Sequence, residues 1–392
     1  MRRYIRRKSC TAALSPGGET PSGQTEASAR TEQVDPEPPE NEDDHEEQPA
    51  LQLTRRNVLA VAGFLAASLA ALYFILPQLA GLDDTWSRIE GGRPIWIFAA
   101  FVLTFGMFGG YTAMFRGIYA GVSPRIDWRA SYQITMAALA ASRLFAAGGA
   151  GGLVLTAWAL RRAGVARRVV ADKTMAFLVL TYFPYVLAVV ICGFGLHWGI
   201  FEGSDPFAFT FVPAVIGVVA MLICVALAFV PPDLQRRVAP AARRLGRVGK
   251  IAEQLAQAPA ATSAGVREAI THLRSRDPAL LGAVLFWAFQ IAVLWAAFHA
   301  FGDAPPWAVL IQGFFVGMLG NLLPMPGGVG GVEGGMIAAF AAFGVDGGLA
   351  VVAVLVYRAF TFWLPMVPGV VAYFQLRHTV EGWKERPAGA AA

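Results

Sequence analysis

The stretch from Gly320 to Gly335 limits the folds open to this chain more than any other. It lies within a long apolar region, yet Pro324 and Pro326 interrupt helical hydrogen bonding, and six glycines between Gly327 and Gly335 loosen the backbone. One carboxylate, Glu333, sits among them. At membrane depth, broken backbone persists only where protein buries it or where it lines a wet cavity, because hydrocarbon offers freed N–H and C=O groups no partner. An ionisable side chain in the same place marks a candidate functional site.

The surroundings are those of a membrane protein. Of 392 residues, 56% are hydrophobic and only 15% charged, and the mean hydropathy is +0.50. A soluble domain with a large core does not have this balance. The three cysteines, Cys10, Cys192 and Cys224, form neither a CxxC pair nor a zinc spacing, so no disulfide framework is expected. The five histidines are scattered, and no metalloprotease, nucleophile-elbow, Walker or dinucleotide pattern stands in a suitable context. No cofactor or metal is implied.

The distribution of charge sets the expected topology. Residues 1–50 open with Arg2, Arg3, Arg6, Arg7 and Lys8, pass through Pro, Gly, Ser and Thr, and end in an acidic run from Glu40 to Glu47. Too few apolar residues are present to offset ordering entropy, so a disordered tail is expected. Asn57–Leu76 is long enough to cross the roughly 30 Å hydrocarbon core. Arg55 and Arg56 precede it, which by the positive-inside rule puts the N-terminus in the cytoplasm. Pro94–Phe115 returns. Lys173–His197, Phe207–Val230, Pro278–Ala300 and Gly347–Phe374 cross in alternation, and the last ends at Arg377, Lys384 and Arg386.

Two segments do not fit a single crossing. Ser131–Leu160 has Arg125 and Arg129 before it and Arg161, Arg162, Arg167 and Arg168 after it, so both ends are expected inside. Its turn signal is Gly148-Gly149-Ala150-Gly151-Gly152. Trp307–Val345 lies in an interval without Lys or Arg, and both its ends are expected outside, with the Pro-Gly-rich stretch as its turn. The expected fold is therefore an all-α integral membrane protein. It has six full transmembrane helices plus two oppositely oriented re-entrant helical hairpins, as in an inverted repeat. Charge parity alone does not separate re-entrant hairpins from pairs of tight full spans. The membrane domain runs over 51–377, with a short cytoplasmic tail at 378–392. Residues 231–277 form a basic cytoplasmic loop in which Leu245, Val248, Ile251 and Leu255 recur at helical spacing, suited to an anionic inner-leaflet surface or to a partner helix.

Each short helix that follows a tip begins near the membrane centre, where free N–H groups and the positive end of the helix dipole suit an anion such as phosphate. Gly151 and Gly152 begin one such helix; Gly327, Gly328, Gly330 and Gly331 precede or begin the other. Close packing of glycine-rich helices is the alternative use of these residues. Arg143, Glu333 and Arg358 are the ionisable groups of these apolar segments. Either Glu333 pairs structurally with one of the arginines, or the arginines hold a lipid phosphate, which guanidinium matches bidentately, while Glu333 orients them or meets a cationic headgroup. Asn321 and Gln312 are expected to bond carbonyls freed by the broken helix.

The Gly320–Gly335 stretch continues into Tyr357-Arg358, Trp363-Leu364-Pro365 and Gly369. With Ser142-Arg143, the first glycine tip, Leu160-Arg161-Arg162-Ala163-Gly164 and Asp172-Lys173, this pattern resembles the lysylphosphatidylglycerol synthase transmembrane domain family over roughly Arg93–Arg377. The resemblance implies a flippase-like role in moving a phospholipid or polyprenyl-linked lipid across the cytoplasmic membrane, with Arg143, Glu333 and Arg358 at the headgroup site. Only a short tail follows Arg377, so no lysyl-transferring activity is expected of this sequence. A lipid-modifying membrane enzyme using Glu333 and a non-transporting scaffold acting through 231–277 are the competing expectations. Neither a catalytic constellation nor a nucleic-acid-binding pattern is present to favour another class.

Overall fold

The computed structural model describes residues 91–119, 121–144, 150–229, 263–275, 278–322 and 328–385, together with Gly63. All belong to one compact unit, Gln48–Ala392. The N-terminal tail, the expected Asn57–Leu76 span apart from Gly63, the Leu245–Leu255 stretch, the residues at the two tips (145–149 and 323–327, Gly327 included) and the end of the C-terminal tail lie outside the described residues.

The described residues are helical, with no strand among them. In chain order the elements are α1 (Pro94–Tyr119), α2 (Trp128–Leu144), α3 (Ala150–Arg162), α4 (Arg167–His197), α5 (Phe211–Ala228), α6 (263–274), α7 (Pro278–Phe301), α8 (Trp307–Met318), a 3-10 turn (Leu319–Leu322), α9 (Gly331–Ala342), α10 (Gly347–Arg358), a π-helical turn (Ala359–Trp363) and α11 (Met366–Glu385). Among the described residues, five runs are long and apolar enough to cross a membrane: Pro94–Tyr119, Arg167–His197, Phe211–Ala228, Ala279–Phe301 and the interrupted run Gly347–Trp383. By contrast α3 has 13 residues and α8 and α9 have 12 each. At 1.5 Å per residue each is only about 18–20 Å long.

Glycine permits the tightest helix contacts. A methyl group on Gly282 of α7 would stand 2.8 Å from the Gly110 carbonyl oxygen of α1, and one on Gly117 would stand 2.7 Å from Ala279 Cβ, so these two helices pack backbone to backbone. The same device closes both short pairs. Gly152 of α3 lies against Ser142 and the Ala138 carbonyl of α2. On α8, Gly313, Gly317 and the following Gly320 lie on Phe340, Met336 and the Gly331 carbonyl of α9. Spacings of four and three keep them on one helix face. Gly369 of α11 in turn meets Ala140 and the Met136 carbonyl of α2.

The buried side chains form two main clusters. Phe115, Tyr119, Ile134, Leu155, Leu160 and Phe177 centre one on α1–α4. Phe298, Phe314, Phe315, Met336, Phe340 and Tyr357 centre the other on α7–α10. The second helix of each short pair ends in the same way. Gly164 (φ +87°) and Gly344 (φ +83°) follow α3 and α9. Each donates its N–H three residues back, to Arg161 O and Ala341 O, and the next valine donates five back, Val165 to Leu160 O and Val345 to Phe340 O. This is the Schellman pattern, which needs a left-handed residue and therefore favours glycine. A two-residue link then starts the next helix at Arg167 and at Gly347.

Candidate functional site

The interruptions of the second half bring the charges together. After α8, the Leu319 N–H turns to Val316 O and Gly317 O, the tighter 3-10 arrangement. The Phe315 carbonyl thereby loses its helical donor four residues on, and Tyr185 of α4 supplies one: its hydroxyl donates to Phe315 O at 2.6 Å. The Tyr185 ring packs edge-on to Phe315, with centroids 4.5 Å apart. Pro184, which has no N–H to return to the helix, precedes it. One turn earlier in α4, Trp287 Nε1 donates to Thr181 O at 2.6 Å.

Beyond the tip, Gly328 (φ +66°) and Gly330 (φ +85°) take backbone conformations that side-chain-bearing residues rarely adopt. Gly330 caps α9, and its N–H donates to Glu333 Oε2 at 2.7 Å. A carboxylate three residues into a helix that reaches back to the cap is half of a capping box, favoured by the dipole. The N-terminus of α9 is thus occupied by a carboxylate of the chain itself.

Glu333 Oε1 accepts from Arg358 Nε at 2.6 Å. The Glu333 side chain is 0% exposed and that of Arg358 7%. Twelve helical residues from Gly347 carry Arg358 about 18 Å into α10. The helix then widens: Leu364 donates to Ala359 O, five residues back. Pro365 has no N–H for Thr361 O. Arg143, at the end of α2, takes that place. Its Nη2 donates to Thr361 O at 2.8 Å and its Nη1 to Phe362 O at 3.0 Å. Both guanidiniums lie over the buried Phe362 ring, Arg358 at 4.2 Å and Arg143 at 5.1 Å from its centroid. Tyr357, beside Arg358 in the chain, donates to Gln290 Oε1 of α7 at 2.8 Å.

Of the two structural pairings open to Glu333, the structure forms the one with Arg358, while Arg143 binds carbonyls. Two guanidiniums therefore share a region with one carboxylate, and Arg358 Nη2 is buried without a hydrogen-bond partner. Gly151 and Gly152 lie in the first turn of α3, Gly152 pressed against α2 rather than open to a ligand. Asn321 is exposed, with its Oδ1 against Gly328. Gln312 bonds a carbonyl, but that of Phe209 in the turn before α5. Tyr185, Gln290, Thr361 and Phe362 carry much of this geometry and were not singled out from the sequence; Pro184 and Pro365 are the local signals that mark two of them. Asp172 and Lys173 lie apart, at the start of α4, where Lys173 pairs with Glu268 of α6.

Comparison with known proteins finds membrane proteins. Two proteins of Methanothermobacter thermautotrophicus, each described as a UPF0104 membrane protein, are similar over short stretches: 33% identical over 89 residues, 22% of this chain and 26% of the relative, and 34% identical over 90 residues, 23% and 27%. The chain thus spans about a quarter of the length of these relatives. The sequence model described as Lysylphosphatidylglycerol synthase TM region matches residues 58–369, which takes in both short helix pairs and all three charged residues. The chain belongs to this family of membrane domains.

Proposed function

We propose that the protein moves a phosphate-bearing lipid between the leaflets of the cytoplasmic membrane, without altering the lipid chemically. The observation that carries this reading is the surplus positive charge at the centre. One carboxylate faces two guanidiniums, and one guanidinium nitrogen has no partner. An uncompensated charge buried in a membrane is costly, and such groups face partners or polar cavities. A lipid phosphate offers the missing anion, and its oxygens match the planar fork of Arg358.

The short pairs α2–α3 and α8–α9 then act as re-entrant hairpins. α3, α8 and α9, at about 18–20 Å, and α2, at about 25 Å, each fall short of a 30 Å core. The shared Schellman ends of α3 and α9, each followed by a long helical run, support two repeats of opposite orientation. Arg116, Arg161, Arg162, Arg167 and Arg168 cluster at the ends that the positive-inside rule assigns to the cytoplasm, as it assigns both termini. Trp96, Trp295 and Trp307, mutually stacked or edge-on, together with exposed Trp198, suit the opposite interface. Rocking of one repeat against the other would pass the headgroup through the polar centre while the tails stay in lipid. The partners in this reading are a phospholipid or polyprenyl-linked lipid as cargo, and anionic inner-leaflet lipid at 231–277.

Reconstitution tests it. Vesicles carrying the full chain and headgroup-labelled lipids are exposed to a membrane-impermeant quencher. We expect quenching of inner-leaflet label beyond that of empty vesicles, lost in Arg358→Gln. Equal quenching in loaded and empty vesicles across anionic, zwitterionic and polyprenyl phosphate lipids would sink the proposal.

A further inference from the structure

A groove of about 390 Å³ opens between α4, α5 and α6. Leu178, Phe183 and Val186 of α4, Met221 and Val225 of α5, and Leu273 of α6 form its walls. Since α4 and α5 are span-length helices, hydrocarbon is the medium at this depth, and apart from Tyr182 and Cys224 the described residues of the groove offer water no polar group. Its reach along α4, from Leu178 to Val186, is about 12 Å, close to the roughly 15 Å of one leaflet's half of the hydrocarbon core.

Both ends of the groove bear on what fills it. Toward the basic start of α4, α6 is fastened down. Gly265 lies on Met175 and the Asp172 carbonyl, and Lys173 pairs with Glu268. This is where a cytoplasmic-leaflet headgroup would stand. Toward the centre, the wall includes Tyr182, whose ring packs against Trp287 and Tyr185, the residues that hold α4 to the second hairpin. Trp287 in turn meets Phe286, whose ring packs on Tyr111 of α1. A row of aromatic rings thus leads from the groove wall to α1.

We propose that this groove seats one hydrocarbon tail of a cytoplasmic-leaflet lipid whose headgroup stands at the basic start of α4, from where it passes to the Arg143–Arg358 centre. The inference rests on the transport reading given above. A leaflet-length, apolar slot that ends at a basic rim divides a lipid as its own chemistry does.

The test uses the full chain in vesicles of phosphatidylethanolamine and phosphatidylglycerol doped with a phospholipid that carries a diazirine midway along one acyl chain. After illumination, labelled peptides are expected from 178–186, 220–225 and 269–273. Ala220 is exposed at the groove, so Ala220→Phe fills the space without entering the core. Labelling should fall roughly tenfold, as expected when burial of about two methylenes is lost. Val225→Phe serves as a second filling variant, and each is checked for a single unfolding transition and an unchanged elution volume. Labels spread evenly over the outward residues Ile216 and Leu222, with no enrichment in the groove, overturn the inference. So does a disulfide between Cys224 and a cysteine introduced within 57–76, which would mean that the chain fills its own groove. Transport separates the two ideas. If the wild type labels the groove and moves lipid but Ala220→Phe moves it equally fast, the tail seat does not serve the cargo. If the wild type labels the groove and moves no lipid, the transport reading fails and the tail seat stands.

Discussion

Arg143 donates to the carbonyl oxygen of Thr361, 218 positions later in the chain, at 2.8 Å. A single guanidinium from the first short helix pair replaces the backbone donor that Pro365 removes from the last helix. The second break follows the same rule, with Tyr185 of α4 closing the carbonyl that the 3-10 turn after α8 leaves open. Each of these two breaks is satisfied by a side chain from the other half of the chain. In a membrane this is the condition for its existence.

Replacement of Arg143 by lysine keeps the charge and loses the fork. An ammonium group is a point charge on a flexible stem and does not hold two successive carbonyls in one plane. Leaving one buried carbonyl unpaired costs about 1–3 kcal/mol. Arg143→Lys should therefore lower the unfolding temperature of the purified protein, and Arg143→Gln should lower it further. Lipid transport should fall in both. Transport at the wild-type rate in Arg143→Gln would remove Arg143 from the mechanism.

Tyr185→Phe keeps the ring contacts with Phe315 and Trp287 and deletes one hydroxyl. The loss should be about 0.5–1.5 kcal/mol of stability. With the Phe315 carbonyl released, the 3-10 turn gains freedom, so a cysteine placed at the exposed Leu322 should react faster with a water-soluble maleimide in the variant. An unchanged reaction rate would mean that the hydrogen bond does not hold the turn.

The sequence marks some of this architecture and conceals the rest. The left-handed caps at Gly164 and Gly344 came to light only in the structure, although a glycine just past a helical run is their usual mark. The glycine-rich stretches announce close approach, and Glu333 and Arg358 stand out because charge is rare in apolar segments. The partners that complete the site carry no such mark. Tyr185 and Phe315 are 130 positions apart, and Phe362 reads as one more apolar residue, although two guanidiniums rest on it. Such contacts follow from which helices become neighbours, and that depends on packing over the whole chain. The π turn illustrates the boundary. Pro365 signals that a donor is missing, but only the fold shows which side chain replaces it. Gln312 likewise reads as a candidate for the broken helix, but its neighbour in space is the Phe209 carbonyl.

Glycines of one motif should differ sharply in tolerance. A methyl at Gly320 would collide with the Gly331 carbonyl, whereas one at Gly334 would meet no described residue beyond its own helix turn and chain neighbours. Backbone does not yield as a flexible side chain does, so Gly320→Ala must push the arms of the second hairpin apart, at a cost of about 1–3 kcal/mol. Gly334→Ala should be neutral or slightly stabilising, because alanine favours the helix. Thermal unfolding of the two variants side by side checks this ordering, and equal midpoints would refute the close approach of Gly320 to α9.

The pair Glu333 and Arg358 admits a cycle that separates structure from transport. Glu333→Gln removes the only acidic partner seen for Arg358 among the described residues and leaves a buried guanidinium unbalanced. Breaking one side of a buried pair costs about 3–5 kcal/mol, whereas replacing both members by neutral groups of similar size is often nearly neutral. Glu333→Gln alone should therefore be the least stable variant. Adding Arg358→Met should recover most of the lost unfolding temperature, a coupling read directly from the four corners of the cycle. If the pair serves only packing, transport returns along with stability in the double variant. If Arg358 receives the headgroup phosphate, the double variant is stable and transports nothing. The quenching assay on vesicles with matched amounts of folded protein decides between them.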